Sequence, residues 1–252
     1  CAGRDQYGAQ PLHRPMKQSH QPPLAGCASE AERRKRLGQY FTGAGLGRVL
    51  AALAQAEKAE SIVDPMAGTG DLLAACLEIG AAPASIAGIE IDRVARDACA
   101  NRLPQADCIL GSAFDPDTIS RLRKTDWDLV IGNPPYVRYQ SFSEKAAVEH
   151  VLPTATQIRT GLLRALPNLS ALDAEDKRLF AHLISGYSGL SDLAVPSWIL
   201  CASLVKTGGR LALVVPEALA LVSVGMCATS TELRMPPLAT MARRSEIGRA
   251  HV

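Results

Sequence analysis

The sequence predicts an α/β fold, a parallel sheet with helices on both faces. Three observations carry that expectation. Short apolar runs alternate with helical patterns between Ser61 and Val215. A glycine turn, Met66-Ala67-Gly68-Thr69-Gly70, follows the first run directly. A proline motif, Asn133-Pro134-Pro135-Tyr136, follows the fourth. Open parallel sheets take ligands at the carboxyl ends of their strands, near the point where the strand order reverses. Both motifs therefore sit where a site belongs.

The elements follow in order. Leu46, Val49, Leu50 and Leu53 recur at helical spacing and predict an amphipathic helix with those residues inward. Residues 61–65 form the first strand. Asp71 then opens a helix carrying Leu72, Leu73 and Cys76, and its carboxylate suits the helix N-terminus. Residues 85–91 are the second strand, followed by a helix through Leu103. Residues 108–110 and 128–132 are the third and fourth strands. Residues 140–189 read as a helical, irregular insertion. A hydrophobic helix spans 192–205, Gly208 and Gly209 end it, and residues 210–215 are the fifth strand. The catalytic domain is thus expected over residues 31–217. Residues 1–30, rich in Pro, Gln, Gly and His, are expected to be a disordered lead-in. Residues 218–252 lose strand periodicity and read as a truncated or non-native tail. The first residue is Cys rather than Met, so the sequence reads as a fragment.

Composition narrows the class. At 47% hydrophobic, 252 residues can bury a substantial core. The net charge of +2 neither predicts nor excludes nucleic-acid binding, because one basic face is enough. Arg33, Arg34, Lys35 and Arg36 form a basic run that reads first as a solvated face and second as a phosphate contact. The seven cysteines are scattered, with no C-x-x-C pair and no His at zinc spacing. No metal is expected, and Cys76, Cys99 and Cys108 read as small hydrophobes in a reduced, cytoplasmic setting. The apolar run Ala194–Val205 contains Pro196 and Ser197 and is too short to span a bilayer, so no membrane role is expected.

Asp64, Gly68 and Gly70 make a tight strand-to-helix turn. Glu90 ends the next strand, where an acid can hold both hydroxyls of a ribose. That layout fits an adenosine-containing cofactor. A dinucleotide turn would want glycine where Leu73 stands, and a pyrophosphate would meet Asp71. S-adenosylmethionine carries an ammonium and a sulfonium instead of phosphates, and suits Asp64 and Asp71.

The proline motif is the more specific signal. At average residue usage this tetrapeptide arises by chance in roughly one chain of this length per thousand. An adenine amine is a poor nucleophile because its lone pair is delocalised into the ring. Two acceptors for its N–H bonds would draw the nitrogen toward tetrahedral geometry. The Asn133 side-chain oxygen and the Pro134 carbonyl are the candidates. Pro134 and Pro135 stiffen the backbone that aims them, and Tyr136 offers a face for an extruded base.

The order LGQYFT (Leu37–Thr42), DPMAGTG (Asp64–Gly70), GIEID (Gly88–Asp92), GSAF (Gly111–Phe114), NPPY (Asn133–Tyr136) resembles the N6-adenine DNA methyltransferases of bacterial restriction–modification systems, over roughly residues 35–217. The resemblance implies the class I S-adenosylmethionine-dependent methyltransferase fold, Rossmann-like. It implies that Tyr40, Phe41 and Thr42 close over the methionine end of the cofactor, above a turn of Asp64, Pro65, Met66, Gly68 and Gly70. Glu90 and Ile91 would hold the ribose side, Ser112 and Ala113 the adenine side. Asn133, Pro134, Pro135 and Tyr136 would act on a flipped adenine in double-stranded DNA. The family usually has Asp where Ser112 stands, which implies weaker cofactor affinity unless Asp115 substitutes. Its sheet usually has seven strands, so the last two strands and the target-reading region are expected to be missing. A specificity or restriction subunit is the expected partner. Arg138 and Tyr139 are equally readable as DNA contacts or surface residues, and His150 and His182 as packing or solvent-facing. Two alternatives remain: a protein glutamine N-methyltransferase, because NPPY also serves an amide nitrogen, and a non-catalytic S-adenosylmethionine- or DNA-binding subunit. The upstream LGQYFT and the long insertion argue against the first; the Ser112 change allows the second.

Overall fold

Apolar residues alternate across the sheet, and the alternation sorts the helices. Ile62, Leu129, Ile131 and Ala212 face one way; Val63, Val130, Leu211 and Leu213 face the other. The computed structural model describes residues 42–135, 153–187 and 193–214. Among these, five strands form one sheet: β1 (Ser61–Asp64), β2 (Ser85–Glu90), β3 (Asp107–Leu110), β4 (Trp127–Gly132) and β5 (Val205–Leu213). Their order is β3-β2-β1-β4-β5 and every pairing is parallel. Strand order reverses between β1 and β4, so the glycine turn and the proline motif leave the sheet side by side at its carboxyl edge.

Helices α1 (Ala44–Leu53), α2 (Asp71–Glu78) and α3 (Arg93–Arg102) cover the first face. Helices α4 (Pro116–Ile119), α5 (Ala155–Ala165), α6 (Ala174–Gly186) and α7 (Ala194–Leu204) cover the second. This is a Rossmann-like arrangement, as the sequence predicts. The described part of the expected insertion, residues 153–187, holds two α-helices: a capping box at Thr154 and Gln157 starts α5, and Asp173 caps α6. His182 is exposed on α6.

Several local expectations change. Helix α1 turns a different stripe inward: Leu50, Ala51 and Ala54 are buried, while Val49 and Leu53 are 48% and 44% exposed. Small residues explain the rotation, since Gly47 lets α1 approach α2 until a Cβ would stand 3.0 Å from Ala75 Cβ. Asp71 does open α2, as its first helical residue, with Gly70 as the N-cap. Gly208 and Gly209 do not end α7. Strand β5 begins at Val205, and both glycines fall in the register shift between its pairings with Trp127 and Leu129. The lead-in, the basic run, Arg138, Tyr139, His150 and the tail lie outside the described residues. Among the described residues no helix is long and apolar enough to cross a membrane.

Candidate active site

The glycine turn is built from short-range constraints. Asp64, 1% exposed, ends β1, and the Met66 N–H donates to its Oδ1 at 2.9 Å. The Ala67 N–H donates to the Ile89 carbonyl at 2.9 Å, tying the turn to β2. Gly68 and Gly70 take φ of 54° and 80°, which favour glycine. A Cβ on Gly68 would meet nothing within 4 Å, so its backbone borders open space.

Glu90 joins the turn to the second strand. Its Oε2 accepts from the Gly68 N–H and its Oε1 from the Asp92 N–H, both at 2.8 Å. Burial pushes its carboxyl up; the Asp92 and Gly68 N–H groups oppose that, and the Asp92 charge adds to it. Burial also pushes Asp64 up to about 7, against the Met66 N–H, with Glu90 and Asp71 adding to the rise. Three acids therefore meet at one strand-to-helix turn. Asp71 is partly neutralised by Arg102 at 2.5 Å.

At the end of β3 the Ser112 hydroxyl accepts from the Phe114 N–H at 3.2 Å. Asp115 is not among the residues that line the cleft. Its carboxylate caps α4, accepting from the Thr118 N–H at 3.0 Å and the Thr118 hydroxyl at 2.8 Å. At the end of β4 the Asn133 Nδ2 donates to the Thr42 hydroxyl at 3.1 Å. This bond joins the upstream motif to the proline motif across 91 residues.

One cleft collects these pieces. Thr42, Asp64, Pro65, Met66, Gly68 and Glu90 line it, and so do Ile91, Ser112, Ala113, Asn133 and Pro135. Gly70 packs beneath the turn instead, against Cys99 and Leu103, and Pro134 is buried. Tyr40, Phe41 and Tyr136 lie outside the described residues. Phe114, Pro153 and Leu193 also line the cleft, although no role follows for them from the sequence. The GSAF motif offered a local signal for Phe114; Pro153 and Leu193 reach the cleft only through the fold. Among the described residues no group of three or more His, Cys, Asp or Glu could hold a metal ion.

The chain is similar to several known proteins. A family model described as N-6 DNA Methylase matches residues 27–152, half of the chain. Type II methyltransferase M.HincII from Haemophilus influenzae is 30% identical over 108 residues, 43% of this chain and 19% of that protein. Type II methyltransferase M.HindII, from a strain of the same species, is 30% identical over 108 residues, 43% of this chain and 18% of that protein. The chain thus spans about a fifth of the length of the curated relatives it matches. The crystal structure of TrmN from Thermus thermophilus is 16% identical, with 54% of this chain and 38% of that chain covered and a TM-score of 0.35.

Proposed function

Because the chain belongs to the N-6 DNA methylase family, we propose that it transfers a methyl group from S-adenosylmethionine to the exocyclic amine of an adenine flipped out of double-stranded DNA. The observation that carries this reading is the shared cleft. It sets the Asn133–Pro135 motif against the acids Asp64 and Glu90, with Thr42 bonded to Asn133. The donor set fits the cofactor. Two buried carboxyls are pushed up by burial, and the charged groups that add to the rise are themselves acids. A cationic ligand relieves that repulsion, whereas a phosphate would deepen it.

S-adenosylmethionine, when bound, supplies a methyl group made electrophilic by its sulfonium. The remaining chemistry belongs to the chain. Asp64 and Asp71 attract the ammonium and sulfonium charges, and Glu90 accepts from ribose hydroxyls. The backbone around Gly68 is open to close approach. In this reading the Asn133 side-chain oxygen accepts from the target amine, while the Thr42 hydroxyl accepts from its amino end. Accepting that N–H concentrates the nitrogen lone pair, and the rigid Pro134-Pro135 backbone limits reorganisation as charge develops. A restriction–modification role, with a specificity or nuclease partner, is the corresponding biological setting.

The test incubates the chain with duplex DNA and S-adenosylmethionine, then digests the DNA to nucleosides for mass spectrometry. N6-methyl-2′-deoxyadenosine is expected. Asn133→Ala should reduce it by roughly 100-fold or more, the usual effect of removing one preorganised polar group, and leave cofactor binding intact. Methylation of a glutamine peptide in preference to DNA would overturn the reading. So would undiminished methylation by Asn133→Ala.

A further inference from the structure

The glycine turn rests on a thiol that has a partner of its own. Gly70 sits so close to Cys99 that a Cβ would stand 2.7 Å from its Sγ. Cys99, on α3, is 1% exposed, and its Sγ lies 3.3 Å from the Sγ of Cys108 on β3. Among the described strands β3 is the outermost on its side, and Cys108 is half-buried there. The two thiols thus differ in access. They differ in acidity as well. The hydrogen bond with Cys99, aided by the Arg96 guanidinium, holds Cys108 below the ordinary thiol range, against the effect of burial. The same bond, with burial, pushes Cys99 up. An accessible, acidified thiol beside a shielded one is the arrangement of an attacking and a resolving cysteine.

We propose that Cys99 and Cys108 form an oxidisable dithiol, a modification site for hydrogen peroxide whose closure to a disulfide loosens the turn at Gly70. The Cys108 thiolate attacks one peroxide oxygen; an S–O bond forms, the O–O bond breaks, and the departing hydroxide takes a proton to become water. Cys99 then attacks the sulfenic sulfur; the S–S bond forms, the S–O bond breaks, and the hydroxyl leaves as a second water with the Cys99 proton. The two sulfurs lose two electrons and the peroxide oxygens gain them. Closure must bring the sulfurs from 3.3 Å apart to about 2.05 Å. Cys99 Sγ then leaves the position on which Gly70 packs.

The experiment treats the folded chain with hydrogen peroxide, alkylates remaining thiols and digests with trypsin. Cleavage after Arg96, Arg102 and Arg121 places Cys99 in the peptide 97–102 and Cys108 in 103–121. A dithiothreitol-sensitive linkage between these peptides is expected, with faster amide exchange at residues 67–71 in the oxidised form. Cys99→Ser should stop at a sulfenic acid on Cys108 that dimedone traps, and Cys108→Ser should leave Cys99 a thiol. The proposal fails if both thiols stay alkylatable in the treated chain. It fails equally if Cys108 pairs elsewhere or proceeds to sulfinic acid beside a reduced Cys99, or if exchange at 67–71 is unchanged once the linkage has formed. None of these readouts depends on methyl transfer.

Discussion

Replacing Asp64 with Asn separates the demands of the fold from those of a ligand. The residue is 1% exposed, and its carboxyl rises from 3.8 to about 7 on folding, chiefly through burial. A carboxyl whose pKa is raised binds its proton more tightly in the folded chain than in the unfolded one. Stability is therefore undiminished below about pH 4, falls as pH rises from about 4 to 7, and stays low above that. Linkage puts the penalty at about 2 kcal/mol at pH 5.5 and about 4 kcal/mol at pH 8. Asparagine keeps the shape and the carbonyl oxygen that accepts from the Met66 N–H, and it removes the charge.

Urea unfolding of both proteins at pH 5.5 and 8 reads the difference directly. Asp64→Asn should be the more stable protein at both values, with a gain about 2 kcal/mol larger at pH 8. Its binding of S-adenosylmethionine at pH 8 should be weaker by roughly 10-fold or more, because a neutral amide offers no attraction to the ligand's positive charges. Greater stability with weaker binding is the signature of an acid retained for function. A gain that does not change with pH, or a loss of stability at pH 8, would refute the reasoning, since either means the fold stabilises the ionised form.

Two further substitutions test the walls of the cleft. Gly161→Ala puts a methyl against the Phe114 carbonyl oxygen, so α5 must shift away from the loop carrying Ser112; a loss of about 1–3 kcal/mol in urea unfolding is expected. Thr42→Val removes the acceptor for Asn133 Nδ2 at nearly constant volume; single-turnover methylation should slow roughly 10-fold, about the value of one hydrogen bond, while Thr42→Ser retains the rate and cofactor binding changes little.

The parts that could be read from sequence are those whose chemistry is local. A strand, two glycines in a left-handed turn and an acid at the end of the next strand constrain one another within about 30 residues, as in any βαβ nucleotide site. The proline motif announces itself by composition. What could not be read depends on contacts between distant segments. Thr42 and Asn133 bond across 91 positions. Cys99 and Cys108 look like separate core residues until α3 packs on β3. Pro153 and Leu193 reach the cleft from segments whose sequence carries only helical periodicity. The inward stripe of α1 is hidden from periodicity, which counts large apolar residues such as Val49 and Leu53, while the close approach to α2 uses Gly47 and Ala51. Asp115 illustrates a local competition: the same carboxylate could serve a ligand or a cap, and Pro116 at the first helical position favours the cap.

The two ends of the sheet are wired on opposite principles, and the contrast bears on function. Toward the amino ends of the strands, Ser61 donates to Asp128 at 2.6 Å, Lys206 pairs with the same carboxylate, and Arg210 donates to the Ala54 and Gln55 carbonyls at the end of α1. Charges there meet complementary partners. Toward the carboxyl ends, Asp64 and Glu90 are acids pushed up chiefly by burial, with the Glu90 charge adding to the rise of Asp64, and Gly68 and Gly70 hold left-handed conformations. Selection for stability alone would remove such features, as the Asp64→Asn expectation quantifies. Their concentration at the strand-order reversal, around the cleft that Asn133 enters, is the pattern of a site whose unfavourable electrostatics are relieved by a positively charged ligand.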